Sequence, residues 1–269
     1  MAGAQSIALI GAGRMGTALA KGWLAGKKTP DIRISDPQPS AEVAGWAKAG
    51  TVTLNPDPSP VSILVVAVKP QVFPKVAESL KAWIGPKTLV ISIMAGIRVK
   101  QLAERLGTDR VVRAMPNTPG AIGRGVSVFC TMGKLAAADT AATEKLLAPL
   151  GDVIGPVDEK HMSNVTALSG SGPAYVFLLA EAMADAAEAE GLPSDLASKL
   201  ARLTVAGAAA LLEESGEAPG ALRKAVTSPG GTTQAALDIL MDDGGMPRLL
   251  RQAIRAAANR DRDLSRDTD

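Results

Sequence analysis

The residues of this chain best suited to chemistry stand in one run, Val226-Thr227-Ser228-Pro229-Gly230-Gly231-Thr232-Thr233, ahead of a pattern that reads as a helix to about Leu240. Two glycines let the backbone turn so that successive N–H groups converge. The helix that follows points its positive end at the same place, so the run suits a small anion such as a carboxylate. The hydroxyls of Ser228, Thr232 and Thr233 add direction. A helix start capped by Thr232 is the plainer reading of the same residues.

The second motif is Gly11-Ala12-Gly13-Arg14-Met15-Gly16, directly after the apolar run Ile7 to Ile10 and at the start of a helical pattern. Gly11 permits the tight turn, Gly13 lets a pyrophosphate approach the backbone, and Gly16 lets helix and strand pack closely. Asp36 ends the next strand 20 residues after Gly16. Its carboxylate would accept from a ribose diol and repel a 2′-phosphate, which favours NADH over NADPH; a turn aspartate before Pro37 is the alternative. Ala67-Val68-Lys69-Pro70 closes an apolar strand, as do Ile93-Met94-Ala95 after Ser92 and the Met115-Pro116-Asn117-Thr118-Pro119 segment. Together these outline one crevice at a sheet edge, and the chain reads as one that brings a redox coenzyme to a small acid.

Other residues that could do chemistry have quieter readings. Cys130 ends an apolar strand and reads as core, and His161 reads as a surface or packed histidine. Ser169-Gly170-Ser171-Gly172-Pro173 is either a close helix crossing or kink, or a substrate-facing segment in which Thr166 and Ser171 take part. With one cysteine and one histidine, no metal site is expected and a reducing compartment fits.

The elements that would position these motifs fall into two halves. Up to about Val157, short β-rich runs alternate with helical patterns, the mark of a βαβ array on a parallel sheet. The runs are Ile7 to Ile10, Ile32 to Ser35, Val61 to Val68, Leu89 to Ile93, Val111 to Arg113, Val126 to Cys130 and Val153 to Val157. Gly26, Gly50 and Gly107 read as helix ends. Beyond Asp158 the strand signals vanish and Ala/Leu/Glu helical patterns continue to about Arg262, with Arg260 to Asp269 as a frayed end. The expected division is residues 1–158 for dinucleotide binding and 159–269 for substrate binding and dimerisation. So much alanine, with apolar residues on more than one helix face, points to a second copy as partner. The 269 residues include 46% apolar but only 3% aromatic residues, and 29 basic against 27 acidic side chains are spread evenly. That balance argues against a nucleic-acid partner, and no apolar run is long enough for a membrane span. A cytoplasmic protein is expected.

Read together, Gly11 to Gly16, Ala67-Val68-Lys69-Pro70, Met115 to Pro119, Ala167-Leu168-Ser169-Gly170-Ser171-Gly172-Pro173-Ala174-Tyr175 and Thr227 to Thr233 closely resemble the pyrroline-5-carboxylate reductases over essentially the whole chain. The resemblance implies an α/β N-terminal Rossmann domain with a doubly wound sheet, then an all-α C-terminal domain that interlocks with its twin in a homodimer. Such dimers commonly assemble as a decamer. It implies reduction of L-1-pyrroline-5-carboxylate to L-proline by NADPH or NADH. By similarity, Ile10, Gly11, Ala12, Gly13, Arg14 and Met15 hold the pyrophosphate, and Ser35 and Asp36 meet the adenosine ribose. Asn55, Ala67, Val68, Lys69, Pro70, Ile93, Met94 and Ala95 line the rest of the groove, with Asn117 beside them. Glu159, Ala225, Thr232 and Thr233 belong by similarity to the substrate pocket, joined by Ser228, Gly230 and Gly231 of the nest, and Thr233 is the candidate partner of the ring nitrogen. Asp36 stands where many members carry a neutral or phosphate-tolerant residue, and Ser163-Asn164 departs from the usual residues before Val165. A 3-hydroxyacid dehydrogenase, with Lys199 or Lys224 as base, and a non-catalytic dinucleotide-binding module are the other readings of this architecture.

Overall fold

The computed structural model describes residues 5–26 and 29–266. The end of the Arg260 to Asp269 run, residues 267–269, lies outside them; up to Arg266 the run is helical. The chain divides into two compact units, Met1–Gly170 with Ala257–Asp269, and Ser171–Ala256.

The first unit is built on one sheet. Its strands are β1 (Ser6–Ile10), β2 (Asp31–Ser35), β3 (Thr53–Leu54), β4 (Val61–Val66), β5 (Ile84–Ser92), β6 (Val111–Met115), β7 (Gly125–Thr131) and β8 (Gly151–Ile154). They lie in the order β3-β2-β1-β4-β5-β6-β7-β8. The order reverses between β1 and β4, the switch point at which a Rossmann sheet opens a crevice beyond its strand ends. Helices α1 (Arg14–Leu24), α2 (Ala41–Lys48) and α5 (Ala137–Leu147) cover one face, with Ile7, Leu9, Leu19, Trp23, Val43 and Leu146 in its core. Helices α3 (Phe73–Leu80) and α4 (Val99–Leu106) cover the other, over Ala8, Ile10, Phe73, Leu80 and Leu102. Alternate β1 residues thus enter opposite cores, and the interior strands read as nearly continuous apolar runs because both faces are buried.

The parallel array is interrupted once, at the far edge. β7 pairs antiparallel with β6, and β8 pairs parallel with β7. The connection from Pro116 to Arg124 holds only a short 3-10 turn, whereas a parallel crossover needs a dozen or more residues. β5 also starts earlier than its apolar stretch, at Ile84, where it pairs with Val61. Of the expected helix ends, Gly50 and Gly107 take left-handed φ of 72° and 70°, while Gly26 does not.

Two further helical pieces belong to this unit. α6 (Met162–Val165) runs into a π-helical turn at Thr166–Gly170. The second half of α11 (Met246–Arg266), from Ala257 on, also belongs here, with Asp261 and Ser265 buried.

The second unit is helical: α7 (Gly172–Ala189), α8 (Ser194–Ser215), α9 (Pro219–Ala225), α10 (Thr232–Leu240) and the first half of α11. α7 and α8 pack on each other, yet α7 buries no residue and α8 only Ala197 and Ala201. Phe177, Leu178, Leu203, Leu211, Ile239 and Leu249 are all more than half exposed. An apolar surface of this extent marks an interface.

Candidate active site

In the first unit the glycine run forms an anion cradle. Gly11 has φ of 90°, and a Cβ there would lie 2.9 Å from the Ala67 carbonyl oxygen, so only glycine lets the β1 loop pass the end of β4. Gly13 precedes α1 as its N-cap residue, with no side-chain cap and no acidic residue in the first turn. Around Gly13 a Cβ would meet nothing within 4 Å. The helix therefore offers unscreened N–H groups across open space, which fits a pyrophosphate. A Cβ on Gly16 would lie 2.3 Å from the Gly11 carbonyl oxygen. Gly16→Ala is expected to displace the loop, lower coenzyme affinity at least tenfold in a fluorescence titration and cost roughly 1–3 kcal/mol of stability.

Asp36 and Asn55 are tied to each other and, through Asp36, to the glycine loop. The Asp36 Oδ2 accepts from the Ala12 N–H at 2.6 Å and its Oδ1 from the Gln38 N–H at 2.8 Å. The turn reading of Asp36 is therefore present in the structure, with one oxygen also fixing the glycine loop. Asn55, at φ of 48°, grips Asp36 from outside: its Oδ1 accepts from the Asp36 N–H at 2.8 Å and its Nδ2 donates to the Asp36 carbonyl at 3.0 Å. The Gly11 N–H donates to the Ser35 carbonyl at 2.9 Å. These bonds place a fixed negative charge beside the glycine loop.

The other groove residues divide by environment. Ala67 and Val68 are half-buried after β4, Pro70 likewise, and Lys69 is exposed. Met94 and Ile10 are buried in the core, so their backbone and not their side chains can face a ligand. Ile93 is held by its N–H donating to the Val66 carbonyl at 3.0 Å. The Asn117 amide ties elements together, with Oδ1 accepting from the Val126 N–H at 3.0 Å and Nδ2 donating to Ser169 Oγ at 3.3 Å.

Glu159 sits in this unit and is already engaged. Its Oε1 accepts from the Val99 N–H, at the start of α4, at 2.8 Å and from Arg113 Nη1 at 3.3 Å. The Arg113 partner was missed at the sequence level, although a charged residue inside the apolar run Val111 to Met115 was the available signal. Cys130 is fully buried, and burial, followed by the nearby Glu159 charge, pushes its thiol up to about 12. A maleimide is expected to leave it unmodified at neutral pH until the protein is unfolded, which mass spectrometry would show. His161 is exposed on a 3-10 turn. Gly170 admits Met115, whose Cε would lie 2.4 Å from a Cβ there, whereas a Cβ on Gly172 would meet nothing within 4 Å, so close packing accounts for the first of these glycines. Among the described residues, no group of three or more His, Cys, Asp or Glu side chains is placed to hold a metal.

In the second unit the Ser228 to Thr233 run is a turn followed by an open helix start. The Gly231 N–H donates to the Ser228 carbonyl at 3.0 Å, and Gly230 has φ of 68°. With Pro229 before it this is a type II turn, which requires a glycine or asparagine at the Gly230 position. A Cβ on Gly231 would lie 2.3 Å from Ser228 Oγ. Gly231, and not Thr232, is the N-cap residue of α10, and no side chain caps it; no acid stands in the first turn. The Gly231 amide is spent inside the turn, so the amides of Thr232, Thr233 and Gln234 are the ones the helix start presents. Thr233 is half-buried, and Ala225 is exposed at the end of α9.

Residues 159–264 match the family described as pyrroline-5-carboxylate reductase dimerisation, and residues 6–96 match NADP oxidoreductase coenzyme F420-dependent. The pyrroline-5-carboxylate reductase of Pisum sativum is 40% identical over 265 residues, covering 97% of this chain and 96% of that protein. A pyrroline-5-carboxylate reductase structure from Coxiella burnetii superimposes with a TM-score of 0.88 at 32% identity, covering 97% of this chain and 99% of that one. The Plasmodium falciparum pyrroline carboxylate reductase, determined with NADP bound, gives 0.79 at 27% identity over 98% of this chain and 99% of its own. With relatives this similar from end to end, and a helical half that matches the dimerisation family, the chain belongs to the pyrroline-5-carboxylate reductases.

Proposed function

We propose that this chain reduces L-1-pyrroline-5-carboxylate to L-proline with NADPH or NADH, the last step of proline biosynthesis. The observation that carries the reading is the uncapped start of α10 behind the Pro229-Gly230 turn.

A cyclic imine asks little of an enzyme. Once its nitrogen is protonated, the neighbouring carbon is strongly electrophilic, so no nucleophilic cysteine or histidine is required. The bound reduced nicotinamide coenzyme supplies the hydride. The N–H groups of Thr232 and Thr233 bind the substrate carboxylate against the helix dipole, which fixes the ring. The Thr233 hydroxyl hydrogen-bonds the ring nitrogen and holds its proton as charge on that atom is lost. Gly13 and the α1 start hold the coenzyme diphosphate, and Asp36 stands at its ribose. Of these two coenzymes the Asp36 charge favours NADH.

The same reading assigns residues 1–158 to coenzyme binding and residues 159–269 to dimerisation and substrate binding. The exposed apolar faces of α7, α8 and α10 are covered by a second copy, and five such dimers form the decamer. The same reading puts the enzyme in the cytoplasm; no helix of the described residues is long and apolar enough to cross a membrane. Light scattering is expected to give a dimer or a multiple of it. Activity should fall on dilution in step with the loss of dimer, and a fully active monomer would overturn the assembly.

Lys199 and Lys224, the bases a 3-hydroxyacid dehydrogenase would need, are exposed on α8 and α9. Measuring coenzyme oxidation with pyrroline-5-carboxylate and with a 3-hydroxyacid in parallel tests the substrate class.

A further inference from the structure

We propose that the last turns of α11 position the backbone of residues 93–98, the segment that lines the far half of the coenzyme groove, and that the buried Gln101 is the positioning residue through which they do so. This role presupposes the coenzyme site proposed for the glycine cradle. With the ribose at the end of β2 and the diphosphate at the end of β1, a dinucleotide laid along the strand ends carries its second nucleoside past β4 to the end of β5, where this segment begins.

Two contacts within the first unit tie the segment to α11, and a third fixes the helix against the strand beside it. Gly96, at φ of 72°, turns the chain over the helix, and a Cβ there would lie 3.7 Å from Leu264 Cβ. Gln101, only 7% exposed, joins the two elements with one amide: its Oε1 accepts from the Arg98 N–H at 2.7 Å and its Nε2 donates to the Ser265 carbonyl at 3.3 Å. Asp261 faces Arg113 of β6, with Oδ2 3.9 Å from Nη2 and both side chains 4% exposed. Arg113 is the register partner of Ser92, the residue before the segment, and Ser92 Oγ accepts from the Met94 N–H at 3.3 Å.

The chemistry of that helix face suits positioning better than adhesion. Besides Ala258, the residues that α11 buries are Asp261 and Ser265, the latter with its Oγ donating to the Asp261 carbonyl at 2.8 Å. Buried polar groups add little net stability over apolar ones of the same size, but their bonds form in one register only. An apolar face could slide or turn beneath the loop. A helix whose Ser265 carbonyl takes the Gln101 amide while Asp261 faces Arg113 cannot do so without losing both. Residues 93–98 are thus held at one end by β4, through the Ile93 N–H donating to the Val66 carbonyl at 3.0 Å, and at the other by α11 through Gln101. The Val99 N–H is held separately by Glu159, so loss of the Gln101 tie loosens the segment without releasing α4. A coenzyme ring resting on this backbone is aligned by it, and a misplacement of about 1 Å is enough to slow a transfer between aligned groups severely.

Gln101→Glu tests the role in the full-length enzyme, because the carboxylate keeps an acceptor for the Arg98 N–H and loses the donor to the Ser265 carbonyl. In the coenzyme-free protein, amide hydrogen exchange read by mass spectrometry should quicken about tenfold across residues 93–98 and stay unchanged across residues 11–16. With NADH and L-1-pyrroline-5-carboxylate, kcat is expected to fall about tenfold while NADH affinity is retained. The isotope effect on kcat with NADH deuterated at the transferred position should rise, a change that loss of stability alone would not produce. Asp261→Asn, which removes the charge facing Arg113 and keeps the shape of the side chain, serves as a second variant and should act in the same direction. Exchange that is unchanged in both variants, that quickens equally at residues 11–16, or that quickens with wild-type kcat and isotope effect would overturn the positioning role. A wild-type enzyme that leaves NADH unoxidised with the imino acid would sink the reductase reading instead, and the exchange comparison would still decide the role of Gln101.

Discussion

Thr233→Ala is expected to lower turnover about 10- to 1000-fold, the range for losing one positioned hydrogen bond or acid–base group. The loss should fall on kcat more than on KM. Thr233 stands at the second position of α10, so its amide, proposed to bind the carboxylate, survives the substitution while the hydroxyl proposed to meet the ring nitrogen is removed. Alanine is also a better helix former than threonine, and the fold should not suffer. Coenzyme affinity belongs to the other unit and should be unchanged. Steady-state kinetics and a separate NADH titration make the comparison. A variant with wild-type kcat would remove Thr233 from the reaction, and Thr233→Ser should restore most of the loss because it returns the hydroxyl.

Asp36→Asn is expected to raise kcat/KM for NADPH relative to NADH by about 10- to 100-fold, or ~1.4–2.8 kcal/mol. The wild-type carboxylate is held beside the glycine loop by the Ala12 and Gln38 amides, while Asn55 fixes its backbone from both sides. It cannot swing away from a 2′-phosphate without giving up these bonds. Asparagine keeps one acceptor oxygen, so one of the two loop amides loses its partner, at about 1 kcal/mol. That cost weighs on both coenzymes equally, and the ratio isolates the charge. An unchanged ratio would mean that the ribose is read elsewhere.

Local signals in the chain were sufficient for the elements that carry the site. Gly11 to Gly16 after an apolar strand, and Pro229-Gly230-Gly231 before a helix, specify backbone shapes that few other residues permit, so their positions were legible. The two-faced sheet was legible too, because buried parallel strands are apolar throughout. What escaped depended on partners distant in sequence. The two-residue β3 has no pattern of its own and exists through pairing with β2. The direction of β7 is set by the length of its connection and not by its residues, and the start of β5 at Ile84 is hidden by Gly85, Pro86 and Lys87. Ser228 is the reason Gly231 and not Thr232 precedes the helix, and that contact forms only when the turn closes. Asp36 could be read as ribose partner or turn aspartate, but its bond to Ala12 spans 24 residues. The Arg113 cluster joins β6, the start of α4 and the end of α11, and no spacing along the chain announces it.

The α10 start is proposed for the imino acid and the glycine cradle for the coenzyme, and imine reduction is the activity that these two assignments require. Its most direct measurement is the absorbance of reduced nicotinamide when the purified chain receives L-1-pyrroline-5-carboxylate with NADH, and separately with NADPH. Substrate-dependent oxidation of the coenzyme is expected, with one L-proline formed for each coenzyme consumed. Coenzyme that binds and stays reduced in the presence of the imino acid, with both NADH and NADPH, would contradict it.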